Sequence, residues 1–242
     1  MSTPRLFSVE GLSKRFGSRT VVNRVDLHVD AGELIGLLGA NGAGKSTTFR
    51  MIVGLYGADA GRIQLEQRDI THLPMHARAR LGLGYLAQEP TIFAALSVAD
   101  NVRIVLEQHY PRREHAGRLD RLLDELGLGH LRDNRAGRLS GGERRRLEIA
   151  RALAVEPKLL FFDEPLAAID PKSRADIAET IRSLRRRGVS VLITDHNAHE
   201  VLRLVDRLYV MHAGEVIAAG TPAQVIADPV ARDRYLGNDF SL

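Results

Sequence analysis

The sequence predicts an α/β chain: a core of buried parallel strands alternating with helices, a small antiparallel sheet near the start, and a mostly helical insert in the middle. Three observations carry this expectation. Short unbroken apolar runs recur at both ends of the chain: Leu34-Ile35-Gly36-Leu37-Leu38 stops at Gly39, Leu159-Leu160-Phe161-Phe162 at Asp163, and Val189-Ser190-Val191-Leu192-Ile193 at Thr194. Such runs suit strands covered on both faces, as in a parallel sheet. Near the start, Phe7-Ser8-Val9-Glu10 and Val25-Asp26-Leu27-His28-Val29-Asp30 alternate with period two, the pattern of strands with one wet face. From about Glu89 to Glu156 strand signal is scarce and helical spacing takes over.

The helices follow from their caps and periods. A helix over 47–53 follows the first apolar run. Ser97 caps a segment through Asn101 to Gln108, and Ser140 caps another running to Ala154. Leu119, Leu122, Leu123 and Leu126 fall on one helical face, with Gly127 and Gly129 as the stop. The segment from Pro171 to Arg187 has Pro at its first turn and Gly188 at its end. The whole chain, 1–242, reads as one domain, with 1–88 and 157–242 forming the core and 89–156 the helical part.

Composition removes several functions. With no Cys there are no disulfides, thiolate metal sites or Cys nucleophile, which fits a cytoplasmic protein. No apolar run approaches the ~18 residues of a membrane span. Residues 1–10 lack the order of a signal peptide. The net charge of +4 is concentrated between Arg112 and Arg151, where eleven Arg face seven Asp and Glu. Interleaved charges on helical segments read as a solvated or partner-facing surface rather than a nucleic-acid site.

Chemistry enters at Gly39-Ala40-Asn41-Gly42-Ala43-Gly44-Lys45-Ser46, which matches G-x-x-x-x-G-K-[ST] between a strand and a helix. Glycines such as Gly39, Gly42 and Gly44 let the backbone around Asn41 curl, so that its N–H groups face phosphate oxygens, and the helix N-terminus adds its positive end. Lys45 would reach the β- and γ-phosphates, Ser46 would offer its hydroxyl to Mg²⁺, and Thr47 would bond the α-phosphate. The run ending in Asp163-Glu164 delivers two carboxylates to the mouth of the sheet. Asp163 would hold Mg²⁺ through its water shell. Glu164 would orient and deprotonate the attacking water.

Leu139-Ser140-Gly141-Gly142-Glu143, taken with the P-loop and Phe162-Asp163-Glu164-Pro165, resembles the nucleotide-binding subunits of ATP-binding cassette (ABC) transporters, in the family's order and over nearly the whole chain. The resemblance implies a P-loop NTPase (RecA-like) core with a small antiparallel β subdomain and an inserted α-helical subdomain. It implies ATP and Mg²⁺ as ligands and a head-to-tail homodimer. Ser140, Gly141 and Gly142 of one subunit would contact the γ-phosphate held by the other's P-loop. Phe16 matches the aromatic that stacks on adenine, and Gln88 the glutamine that touches Mg²⁺ at the hinge to the helical insert. Asp170, in Ala168-Ile169-Asp170, matches the loop that links the two sites. His196 matches the switch histidine that contacts the γ-phosphate and holds Glu164.

Within the family, Ser140 to Leu153, Leu192 to Asn197, the stretch from Gln88 to Val98 and the ending from Tyr235 to Leu242 are similar to the lipopolysaccharide-export ATPases. Ala94-Ala95 and Leu166-Ala167-Ala168 depart from that group, which carries Arg and Phe-Ala-Gly there. The resemblance implies a peripheral protein on the cytoplasmic face of the inner membrane, two transmembrane permease subunits, a single-span partner and no nucleic acid. Ile92 and Phe93 are the expected lining of the groove that receives the permeases, with a buried core Phe as the alternative. The ATPase of a branched-chain amino acid importer is the second reading. A soluble ABC ATPase acting on ribosomes or DNA is a remote third.

Overall fold

The computed structural model describes residues 5–167, 169–237 and 240. Ala168 and Asn238, Asp239, Ser241 and Leu242 of the terminal stretch lie outside the described residues. The elements run β1 (Arg5–Phe16), β2 (Arg19–Asp30), β3 (Leu34–Gly39), α1 (Lys45–Val53), β4 (Ala60–Leu65), β5 (Arg68–Asp69), α2 (Met75–Arg80) and β6 (Leu83–Leu86). Three helices follow: α3 (Val98–His109), α4 (Arg112–Glu125) and α5 (Gly141–Leu153). The chain then returns through β7 (Leu159–Asp163), α6 (Pro171–Arg186), β8 (Ser190–Thr194), α7 (Ala198–Leu202), β9 (Arg207–His212), β10 (Glu215–Gly220) and α8 (Pro222–Ala227).

Two sheets result. The larger has the order β10-β9-β3-β8-β7-β6 and is parallel except for the β9–β10 pair. The smaller is antiparallel, in the order β2-β1-β4-β5. Every residue of β3, β7 and β8 is buried. Their side chains divide by parity between two apolar cores. Ile35, Leu37, Leu159, Phe161 and Leu192 face the core shared with α1 and the antiparallel sheet. Leu34, Leu38, Leu160, Phe162, Val191 and Ile193 face the core shared with α3 to α6. A strand lined on both faces needs an apolar side chain at every position, which is why these runs do not alternate.

The first two strands extend well beyond their apolar stretches. Register shifts between Val9 and Leu12 and on to Arg15 let β1 continue through polar residues, because a bulge leaves an extra residue unpaired and bends the strand. Residues 83–86 and 207–212 also form core strands. Among the described residues no strand lies between β6 and β7. Leu119, Leu122 and Leu123 of α4 and Leu126 just beyond it are buried, as their spacing predicts. Some of the basic residues of this stretch are ion-paired: Arg118 with Glu114 and Glu156, Arg132 with Asp120, Arg145 with Glu148.

Candidate active site

The site gathers at the C-terminal ends of β3, β7 and β8. The P-loop leaves β3 at Gly39 and enters α1 at Gly44, which caps the helix in a left-handed conformation (φ 105°). A Cβ at Gly39 would stand 2.3 Å from the Met211 carbonyl oxygen, and one at Gly44 2.7 Å from that of Val21. Both glycines are therefore required by the close approach of β9 and β2. Gly42 has φ 80° and open space around it. With Ala40, Asn41 and Gly42 exposed, the curl of the loop faces outward, a cradle with room for phosphate. The Lys45 ammonium is buried beneath it and donates to the Gly39 carbonyl at 2.6 Å and the Ala40 carbonyl at 3.1 Å. Burial lowers the Lys45 pKa, opposed by the carboxylates of Glu164, Asp163 and Asp195. Ser46 is exposed and Thr47 half-buried at the start of α1.

Asp163 ends β7, buried, and its Oδ2 accepts a hydrogen bond from the Tyr85 hydroxyl at 3.2 Å. Burial raises the Asp163 pKa, while Tyr85 opposes it. Glu164 follows with φ 49°, a conformation uncommon for a residue with a side chain. Its N–H donates to the Thr194 carbonyl at 2.8 Å, which holds the kink. The kink brings the carboxylate to Gln88, whose amide nitrogen donates to Glu164 Oε2 at 2.9 Å. His196 Nδ1 lies 3.7 Å from the same oxygen and 3.4 Å from Asp195 Oδ1. Gln88, Glu164 and His196, far apart in the chain, thus converge.

The donor set fits a hard divalent cation. Ser46 offers a hydroxyl. Gln88, with its nitrogen turned to Glu164, leaves its amide oxygen. Asp163 leaves Oδ1 without a protein partner among the described residues. Oxygen donors of this kind, few in number and supplemented by phosphates and water, are what Mg²⁺ takes.

Phe16 sits at the tip of the β1–β2 hairpin, whose Val21 abuts Gly44 of the P-loop. Its ring is 47% exposed and packs edge-on to Tyr56 at 5.8 Å, with the Lys14 ammonium 5.6 Å from its centroid. Ser140 caps α5 through a reciprocal box: its Oγ accepts the Glu143 N–H at 3.3 Å, and Glu143 Oε2 accepts the Ser140 N–H at 2.8 Å. Asp170 caps α6 by accepting the Ser173 N–H at 3.0 Å, and the Ser173 hydrogen bonds lower its pKa. No hydrogen bond or ion pair among the described residues joins Ser140, Gly141, Gly142 or Asp170 to the chain's own P-loop. Gly141 instead shares with Gln88, Arg145 and Glu164 the lining of a cavity of about 210 Å³. Phe93 is 46% exposed under the Arg151 guanidinium, so it is not a buried core Phe. Ile92 packs partly buried against the main core.

Sequence reasoning missed several supporting residues. Asp195 is buried and accepts the N–H groups of Leu166 at 3.2 Å and Asn197 at 3.0 Å, which fixes the two loops that flank Glu164 and His196. Its signal was available: it follows directly on β8 as Glu164 follows β7. Arg145 and Glu148, buried on α5, clamp the segment after β6. Arg145 donates to the Ala87 carbonyl at 3.2 Å and to Glu148 at 2.7 Å, while Glu148 accepts the Thr91 N–H at 2.9 Å. Nothing in a basic helical stretch marks two of its charges as internal.

A P-loop over buried parallel strands, a paired acid at the end of β7 and a capped Ser-Gly-Gly helix define an ATP-binding cassette. The model of the family "ABC transporter" matches residues 22–167, and the chain belongs to that family as its ATP-hydrolysing subunit. It is 52% identical to "Lipopolysaccharide export system ATP-binding protein LptB" of Acidithiobacillus ferridurans over 98% of this chain and 99% of that one. It is 50% identical to the protein of the same name from Haemophilus influenzae, again over 98% and 99%. Among solved structures, the ADP conformation of MJ1267, an ATP-binding cassette of an ABC transporter, superposes with a TM-score of 0.87 at 31% identity, covering 98% of this chain and all of that one. A nucleotide-free ATP-binding cassette from an ABC transporter gives 0.85 at 29% identity, over 97% of this chain and all of the other.

Proposed function

We propose that the chain powers lipopolysaccharide extraction from the inner membrane toward the outer membrane. It would work as a homodimer on the cytoplasmic face of the inner membrane, coupled to two LptF/LptG-like permease subunits and a single-span LptC-like partner. The observation that carries this reading is similarity at about half identity, end to end, to lipopolysaccharide-export ATP-binding proteins of several bacteria. No helix among the described residues is long and apolar enough to cross a membrane, so motion must pass to partners that do. The exposed Phe93 beside Ile92 and Arg151 is the proposed docking point for a permease segment, and residues 89–156 the proposed helical subdomain.

The chemistry assigned to the site is phosphoryl transfer to water, which needs positioning and charge neutralisation more than covalent steps. ATP would stack its base on Phe16 and lay its phosphates along Gly39, Asn41, Gly42 and Gly44, with Lys45 and Thr47 bonding them. Ser46, Gln88 and Asp163 would hold Mg²⁺, which when bound neutralises phosphate charge. Glu164 Oε2 takes the proton of the attacking water. Gln88 and His196 keep that oxygen in place, and the φ of Glu164 aims it. Ser140, Gly141, Gly142 and Asp170 would serve the partner's nucleotide, consistent with their lack of bonds to their own P-loop.

The test is affinity purification of the tagged chain from its native membrane with identification of what accompanies it. Two permeases with a large periplasmic domain and a single-span protein are the expected result. Permeases that travel with an amino-acid-binding protein would replace the cargo assignment with import, and no membrane partner would overturn the transport reading.

A further inference from the structure

The glycine at 142 has a neighbour that the nucleotide does not explain. An ideal Cβ at Gly142 would lie 2.6 Å from Ser173 Oγ and 2.7 Å from Ser173 Cβ, both inside any real contact distance. Turning the serine hydroxyl away would leave the second clash in place. Gly142 lies within α5 and is not among the residues with positive φ, so its backbone does not demand glycine. Glycine inside a helix is unfavourable relative to alanine, and the contact with α6 supplies the reason to keep it. Gly141, one residue earlier, is exposed with nothing within 4 Å of its own Cβ position.

Ser173 also faces the other way. Its backbone N–H donates to Asp170 Oδ1 at 3.0 Å, fastening the residue that caps α6. Arg146 Nη1 and Asp176 Oδ2 approach to 4.0 Å along the same seam. One residue thus touches the Ser140-Gly141-Gly142 turn with its side chain and the Asp170 loop with its backbone.

We propose that Ser173 is a positioning residue that joins the Ser140-Gly141-Gly142 turn to the Asp170 loop, so that the two move as one piece, and that position 142 must be glycine because Ser173 stands against it. This rests on the proposed role of both segments at the partner's nucleotide.

The experiment compares wild type, Gly142→Ala, Ser173→Gly, the double variant, and Gly142→Ala with Ser173→Ala. Each is read for ATP hydrolysis and for melting temperature without nucleotide. Gly142→Ala should lose about tenfold or more in hydrolysis and melt lower, as overpacking predicts. Ser173→Gly, which cuts the join without adding bulk, should lower hydrolysis by about threefold or more while melting within a few degrees of wild type, and the double variant should melt near Ser173→Gly rather than near Gly142→Ala. Ser173→Ala should not rescue, because its Cβ remains. The proposal is overturned if the double variant melts no higher than Gly142→Ala, if Gly142→Ala melts as wild type, or if Ser173→Gly hydrolyses ATP as wild type does. Should wild type itself fail to hydrolyse ATP, the proposed function falls. The melting temperatures, which need no nucleotide, would still decide the seam.

Discussion

Replacing Glu148 by Leu should be among the most damaging single changes outside the nucleotide site. Arg145 and Glu148 side chains are 7% and 6% exposed and meet at 2.7 Å. Arg145 Nε and Nη2 have no protein partner. Once Glu148 is gone, its guanidinium keeps only the Ala87 carbonyl at 3.2 Å, and the Thr91 N–H loses its acceptor as well. Breaking a buried pair by removing one partner costs about 3–5 kcal/mol, because the remaining charge stays buried. At about 2–4 °C per kcal/mol for a chain of this size, the melting temperature should fall by roughly 6–20 °C. The loss should also be felt at Gln88, which lies in the clamped segment, as a fall in kcat larger than any rise in KM for ATP. Thermal unfolding without nucleotide, followed by circular dichroism, reads the first effect and steady-state hydrolysis the second. The companion is Arg145→Met with Glu148→Leu, which removes both charges and should regain most of the stability. If Glu148→Leu melts within about 2 °C of wild type, the pair is not buried and unsupported as described, and the clamp argument fails.

Other outcomes follow from the same geometry. Glu164→Gln should lower hydrolysis by about 10²–10⁴-fold while ATP still drives a dimer visible by size-exclusion chromatography; activity near wild type would remove Glu164 as the base. Phe16→Ala should raise KM for ATP by roughly 5- to 150-fold, from the ~1–3 kcal/mol of a base–aromatic stack, and Phe16→Tyr should not; an unchanged KM would mean that the exposed ring does not carry the base. Far from that site, Arg207 grips Glu33 with two bonds of 2.8 and 2.9 Å. Burial pushes the Glu33 pKa up, but Arg207 outweighs it and the net pKa lies below the ordinary 4.5. A lowered carboxyl pKa gives stability that is present above that ordinary value and lost as pH falls through the folded value. Melting of wild type and Glu33→Gln from pH 7 to 3 should therefore converge at the acid end; a gap independent of pH would contradict the assignment.

Much of the site was legible because its chemistry is local in sequence. The P-loop glycines, Lys45, the Asp163-Glu164 pair at a strand end and the Ser140 cap each declare themselves within a few residues. So do the strands buried on both faces, where apolar residues at every position admit one reading. The strand over 207–212 went unread although most of it is buried, because its arginine and histidine ends hide a short apolar middle. The long β1 went unread past Glu10 because bulges carry it through polar residues that no alternation marks.

What sequence by itself determined was the class of chemistry and the order of its parts, since a phosphate cradle, a strand-end acid and a helix cap are each made by contiguous residues. Only the tertiary structure decided which of those parts meet. It set Gln88 and His196 on one oxygen of Glu164, turned two charges of a basic helix inward onto the segment after β6, and pressed Gly142 against Ser173. Such contacts depend on how two sheets and a helical segment stack, and packing of that kind joins residues tens of positions apart without leaving a local signature in any of them.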